Sequence, residues 1–481
     1  MQPRGRAMRR KSKAYANSRI NHLGKYAAVL STSIVAFALL AEPAKAGCNS
    51  GNTGSTDLLS SANCQATATG QQSLAIGSSN PTASGDFSTA LGSFSTASGL
   101  VGTALGSNAT SSGDFSMSLG TNSTASAMSA QAIGVQSNAT ASSSTAVGFS
   151  SFATGDGSTA GGASSSASGL DSSAYGHSSQ ASSRVASAFG ALASANGEGA
   201  TALGANSTVT GAGSTAAGYN NTVTGTNSGA FGTGNVVTGN GSYAVGDPNT
   251  INGNNSFAFG NNNTINGPNT AGNGDNIQVV GSNNAIGSTA NAAGSSVMGS
   301  GSTVNATNAV ALGNSVTVTG QNAVAIGQGA QATHANSVAI GAGSVTSAPN
   351  TVSVGSAGNE RRITNVAAGI SPTDAVNMSQ LTSIGAGYQS QINSLQTQTT
   401  NNLYEMRGGV ALALAASGLR YDDRPGKVSL AGAVAGYKGE SGLAVGVGYA
   451  ATDRLRFNAA FSGSPSQNNY GGVVGGSFTL N

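Results

Sequence analysis

The chain has 481 residues, of which 19 are Lys or Arg and 16 Asp or Glu, so 7% are charged where a soluble globular chain carries roughly a quarter. Glycine stands at 72, tryptophan at none and histidine at three, a composition that argues against an enzyme of packed helices. Residues 47–359 hold one base, Arg184, against eight acids; nucleic-acid binding needs clustered Lys and Arg, so that class is excluded as well.

Eight basic residues fall within the first 25 positions, followed by an apolar run at 26–41 and the small-x-small triplet Ala44-Lys45-Ala46. This pattern predicts a secretion signal over 1–46, cut before Gly47. The competing reading, a membrane-spanning helix, needs about 20 apolar residues. An N-terminal segment, 47–70, carries Cys48 and Cys64, the chain's two cysteines. In an oxidising compartment they form a candidate disulfide closing a 17-residue loop; two free thiols are the alternative.

Residues 71–349 are governed by one period. A triplet of the form Ala-apolar-Gly ends at Gly92, and glycine returns every 14 residues to Gly260, then again from Gly299 to Gly355 after a disturbed patch at 268–296. A second small-residue position, often glycine, runs seven residues out of phase (Gly99, Gly113, Gly155). Seven residues hold one short strand and one tight turn, so 14 make one two-sided coil whose neighbours stack about 4.8 Å apart. In the triplet the large side chain is expected to point into the coil and its Ala and Ser neighbours outward. A coil this thin predicts several chains side by side.

At 350 the rhythm breaks, and charges appear in an otherwise neutral chain: Glu360, Arg361, Arg362 and Asp374, within a predicted neck at 350–380. Their isolation implies fixed pairing rather than solubility. Residues 381–406 read as a helix with a heptad seam through Leu381, Tyr388, Ile392, Leu395, Thr399, Asn402 and Met406. A membrane anchor is predicted at 407–481. Its four segments alternate with period two: Leu443, Val445, Val447 and Tyr449 on one face, Ala444, Gly446, Gly448 and Ala450 on the other. Apolar outside and small inside over about ten residues is the pattern of outer-membrane strands. Four strands leave open edges, which lipid does not tolerate; three chains supply twelve, with room inside for helices from 407–419.

Catalytic patterns do not assemble. His177 and His334 stand 157 residues apart, whereas metal ligands cluster; no metal or cofactor is expected. Asp86, Asp114 and Asp156 recur near turns as single acids, while glycan hydrolysis needs paired carboxylates.

With these residues in view, the chain resembles the YadA-like trimeric autotransporter adhesins. Asn336-Ser337-Val338-Ala339-Ile340-Gly341 is similar to the head repeat of that family, the segments 360–369 and 373–381 to its neck, and the C-terminal strands to its anchor. The resemblance implies a mostly β protein: a trimeric left-handed parallel β-roll head, a neck, a short trimeric coiled coil and a 12-stranded outer-membrane barrel. It implies an outer-membrane location with the head at the cell surface, passenger export through the protein's own barrel, and handling by the outer-membrane assembly machinery. It also implies binding to host extracellular matrix proteins or cell-surface receptors, self-association and a virulence role. Asn402 resembles the anion-holding Asn layers of the family's coiled coils. Two other readings stay open: a secreted β-solenoid enzyme acting on glycan, and a structural coat driving autoaggregation.

Overall fold

The computed structural model describes residues 66–266, 274–466 and 468–480; the signal segment, Cys48 and Cys64 lie outside them. The chain divides into two units at Arg361 and Arg362.

In the first unit, from Thr67–Ala68 to Val352–Ser353, most coils contribute one three-residue strand, such as Thr89–Leu91, and one two-residue strand, such as Thr96–Ala97, while Thr215–Tyr219 and Gly229–Thr233 run longer. Each strand pairs in parallel with its counterpart one period on: Ala90 opposite Ala104, Thr96 opposite Thr110. The result is two ladders back to back. The glycine column sets the turn that separates them. Gly92, Gly106 and Gly120 have φ of 135°, 138° and 145°, and a Cβ on Gly92 would stand 2.4 Å from the carbonyl oxygen of Gly106. In the out-of-phase column φ is not positive, and the sequence there accepts Ala127, Ala141 and Ser183.

The expected direction of the large side chain is reversed. The alanine that opens the triplet points inward and is fully buried, as at Ala90 and Ala132, while Leu91 and Phe189, each 39% exposed, point out of the coil. The reason is width: with two strands and two tight turns in 14 residues, the interior of the coils before residue 209 holds chiefly Ala and Ser, and the leucines lie outside. A buried methyl contributes about 0.8 kcal/mol. The coil-to-coil hydrogen bonds, such as Thr89 N–H to Gly102 O at 2.8 Å, add about 0.5–1.5 kcal/mol net each and outnumber the methyls, so the ladder rather than a core carries the fold.

The disturbed patch does not interrupt stacking. Ala258 lies opposite Val279 and Val279 opposite Val297, so two longer coils are accommodated within the same ladder. Around them the interior changes character. Val209, Val223, Val237, Ile251 and Ile265 replace alanine in the second ladder, all fully buried. At one turn, Asn221, Asn235, Asn249, Asn263 and Asn284 form a buried amide ladder. Asn235 Nδ2 donates to Asn221 Oδ1 at 3.1 Å and to Gly246 O at 2.6 Å. Its Oδ1 accepts from the backbone N–H and the Nδ2 of Asn249. Every polar atom of the side chain is thus used, as burial demands.

The second unit holds an irregular neck, one unbroken helix, Met378–Ser417, and an antiparallel sheet of Val428–Tyr437, Glu440–Ala450, Leu455–Ser464 and Asn469–Phe478. The helix covers both the predicted stalk and the segment predicted to run inside the barrel. The sheet is a meander: Val447 pairs with Leu430 and Ala459, and Ala459 with Val474.

Replacing Asn235 by Ala strands the Gly246 carbonyl and the Asn249 N–H in the interior, at about 1–3 kcal/mol for each group left unpaired. Outward-facing Thr222→Ala is expected to change stability by no more than about 0.5 kcal/mol. Chemical unfolding of the purified protein compares the two, and equal stabilities would refute the ladder's role.

Candidate functional site

A two-ladder coil presents two outward faces. On the three-residue strands the residue before each column glycine projects outward, aligning Leu91, Leu105, Leu119, Ile133 and Val147 in one file that continues to Ile340. Gly161 interrupts it, and the ring of Tyr175 covers the gap: a Cβ on Gly161 would lie 2.6 Å from Tyr175 Cδ1. Tyr175 stacks on Phe189 with centroids 5.3 Å apart. A continuous apolar file of this length on one chain marks a surface that another molecule covers.

The opposite face is uncharged and mostly polar, with Phe152 and Val236 as apolar exceptions. Thr82, Thr96, Thr110 and Thr124 form one file. Two residues on, Ser84, Ser98, Ser112 and Ser126 form a second. The same pair recurs as Thr208 and Thr210, then Thr222 and Thr224. Among the described residues neither file carries a charge. The acids sit at the turns, where they accept backbone hydrogen bonds from the preceding coil: Asp86 Oδ1 from Gln71 N at 2.8 Å, Asp114 Oδ1 from Leu100 N at 2.9 Å, Asp156 Oδ1 from Ser142 N at 3.1 Å. Asn240 does the same for Thr226. His177 is exposed at a turn, and His334 Nδ1 lies 3.1–3.2 Å from the Thr333 and Thr346 hydroxyls. Among the described residues no three His, Cys, Asp or Glu gather as metal ligands would.

At the last coil Arg361 turns back onto the open end of the ladders. Its guanidinium donates to Ser344 Oγ at 3.0 Å, Val354 O at 2.9 Å and Ala342 O at 2.5 Å, so one side chain serves acceptors that the next coil would otherwise meet. Glu360 accepts from the Gly358 N–H at 2.9 Å, and backbone hydrogen bonds, its own first, hold its carboxyl below the ordinary range. In the second unit, Asp374 Oδ2 accepts from Ser371 N at 2.9 Å and Ile370 N at 3.0 Å, which lowers its pKa below 3.8. Arg362 and Asn402 are exposed on the single chain.

Two residues to which the sequence reading gave no role organise this neck. Gln380 clamps Gly369 through both backbone groups, accepting from its N–H and donating to its carbonyl, each at 2.9 Å. Asn377 caps the helix and donates to Val366 O at 3.1 Å. The signal was the Asn-x-x-Gln spacing of a capping box.

In the anchor, the residues meant for lipid are uncovered, Val474 at 86% exposure, while Ala444 and Ala450 are buried. Small inner residues admit the helix and the linker that follows it: a Cβ on Gly442 would lie 2.4 Å from Ala411 O in the helix, and one on Gly448 2.5 Å from the ring of Tyr421 in the linker. Asn469 Nδ2 donates to the Glu405 carbonyl at 2.9 Å. In the linker before the first strand, Arg424 holds the Asp422 carboxyl down from 3.8 to about 2.

A sheet of four strands with two open edges, apolar on its outer face, combined with an uncovered apolar file on stacked coils, defines a membrane-anchored β-solenoid that assembles with copies of itself. Known families match the same three parts: the YadA head domain repeat over 65–80, 83–151, 186–207, 210–235, 290–315 and 319–356, the coiled stalk of trimeric autotransporter adhesins over 362–404, and the YadA-like membrane anchor domain over 420–480. The chain belongs to the YadA-like trimeric autotransporter adhesins. Its anchor lies in the outer membrane and its head is surface-exposed.

Among curated relatives, the chain is 42% identical over 92 residues to autotransporter adhesin BtaF of Brucella suis biovar 1 (strain 1330), covering 19% of this chain and 32% of the relative. It is 36% identical over 143 residues to autotransporter adhesin BtaE of the same organism, covering 25% and 19%. The matches therefore span about a third and a fifth of those proteins' lengths. The collagen-binding domain of the Yersinia adhesin YadA aligns at 24% identity over 45% of this chain and 84% of its own, with a TM-score of 0.18, too low to bear on the fold.

Two outcomes follow from the neck geometry. Arg361→Ala is expected to speed amide exchange across 342–355 while leaving 90–150 unchanged, as read by hydrogen–deuterium exchange. Because the folded-state pKa of Asp374 is depressed, its ionised form contributes stability that is fully present above 3.8 and is lost as pH falls through the lowered folded value. Acid titration should loosen residues 369–374 in that window, and Asp374→Asn should remove the transition.

Proposed function

We propose that this protein is a non-enzymatic surface adhesin that exports its own passenger, with residues 71–349 as head, 350–380 as neck, 381–406 as stalk and 407–481 as anchor. The head binds extended partners, host extracellular matrix or cell-surface molecules, and copies of itself on other cells. One observation carries the reading: the outward face of the second ladder is uncharged along its length and mostly Thr, Ser, Asn or Gln, with hydroxyl pairs recurring at Thr82 and Ser84, Thr208 and Thr210, and Thr317 and Thr319, and with Phe152 and Val236 among the exceptions. Such a face offers many weak equivalent contacts, and avidity converts them into affinity without any single dominant residue. A secreted glycan-acting enzyme would instead need a pair of acids on one face, and Asp86, Asp114 and Asp156 are single acids that each accept a backbone hydrogen bond at a turn.

The model is tested by removing whole periods. Deleting residues 132–145, one 14-residue unit, preserves the register and should leave a trimer whose binding to matrix-coated surfaces falls only modestly; deleting several units should weaken it progressively. Binding should change little between low and physiological salt, because no charged groups mediate it. Complete loss after one deletion would point to a discrete site, and release of reducing sugars from a surface glycan would restore the enzyme reading.

A further inference from the structure

The interior of the head changes character along its length, and three observations place the change at the same coil. The first is side-chain size. From Ala75 to Ala202 every buried hydrophobic residue is alanine, whereas the twelve largest fully buried side chains among the described residues all lie between Val209 and Val318. Past Val318 the interior returns to small residues, Ala325, Ala332 and Ala339. A valine or isoleucine in place of alanine buries two or three more carbons, each of which favours the closed state.

The second is where the buried hydroxyls bond. Ser95, Ser137 and Ser165 donate to the carbonyls of Gly92, Gly134 and Gly162, three residues back in their own coil, each at 2.8 Å. From residue 207 the same kind of side chain reaches the next coil. Ser207 Oγ donates to Gly218 O at 2.9 Å and accepts from Asn221 N at 3.2 Å. Ser214 Oγ does the same with Gly225 O and Ser228 N, and Ser302 Oγ with Gly313 O and Val316 N. The third is the place of orphaned atoms. Ser88 Oγ, Asn138 Oδ1, Ser158 Oγ and Ser172 Oγ are the buried side-chain polar atoms of the head left without a partner among the described residues, and all precede 207; each acts against the closed state. The outward apolar file does not create the contrast, because it runs through both stretches from Leu91 to Ile340.

The stability of a solenoid is the sum of what each coil contributes alone and what it gains from contact with the next. Residues 207–318 gain in both respects, and residues 66–206 in neither. We propose that the head is two cooperative units within one continuous solenoid: a stable block, 207–318, and a first block, 66–206, that opens and re-forms on the stable block while that block stays closed. The unbroken run of Thr and Ser pairs at 82–126 lies on the part that opens, so this stretch of the outward face yields under load without unravelling the rest of the head. The proposal goes beyond the adhesive reading, and its test reads amide exchange rather than binding, so either can fail alone.

The test is hydrogen–deuterium exchange of the full-length trimer in outer membranes over a series of low urea concentrations. Amides of 90–202 should exchange through an opening that urea promotes steeply, because many coils are exposed at once, at concentrations where amides of 209–318 remain protected. A common opening of both stretches, or earlier opening of 209–318, would overturn the proposal. Two variants check the order. Opening of the stable block entails opening of the coils that rest on it, so Ala132→Gly should speed exchange in both stretches by the same several-fold factor. Ile251→Val, which trims one buried carbon, should speed exchange in 209–318 by about two- to tenfold and leave 90–202 unchanged. An effect of Ala132→Gly confined to 90–202 would show that the stretches open independently, and the first block would then not depend on the second.

Discussion

The structure depends on one constraint: a 14-residue coil is too thin to own a core. Its interior admits one small residue per strand and one polar residue per turn, so the hydrophobic contribution per coil is slight. What holds the head is the hydrogen-bond ladder from each coil to the next, and ladders are cooperative only when unbroken. The column of positive-φ glycines from Gly92 onward exists for that reason, since a Cβ there would collide with the carbonyl of the following coil.

The same thinness sends large side chains outward and makes oligomerisation part of the fold. Leu91 and Phe189 have no room inside and form a file that water should not see. The anchor reaches the same end by different physics. Its four strands satisfy one another but leave the outer edges of Val428–Tyr437 and Asn469–Phe478 unpaired, and in lipid an unpaired edge has no water to turn to. Two units with unrelated interiors thus require the same three-chain assembly.

Ladders also need ends. Arg361 supplies the donors that a further coil would have given to the last carbonyls, and in the second unit Gln380 and Asn377 tie the neck to the first helical turn. These groups act through single-residue geometry, which is why charge in this chain is scarce but placed: most acids of the head stand at turns, where a carboxylate accepts a backbone N–H from the coil before it.

The sequence by itself determined the period, the short strands, the neck, the helix and the four anchor strands, because each is a local pattern of glycine, alternation or heptad spacing. The Asn ladder at 221, 235, 249 and 263 was visible as a 14-residue recurrence, but turn asparagine is too common for the spacing alone to reveal that these side chains are buried and stacked. The inward or outward sense of the triplet was decided by tertiary structure, since alternation fixes that Ala and Leu point in opposite directions but not which direction is inside. That depends on the width between two ladders, a distance between chain segments that no local pattern records. The role of Arg361 was likewise invisible, because its three acceptors lie 7 to 19 residues away and meet only when the last coil closes.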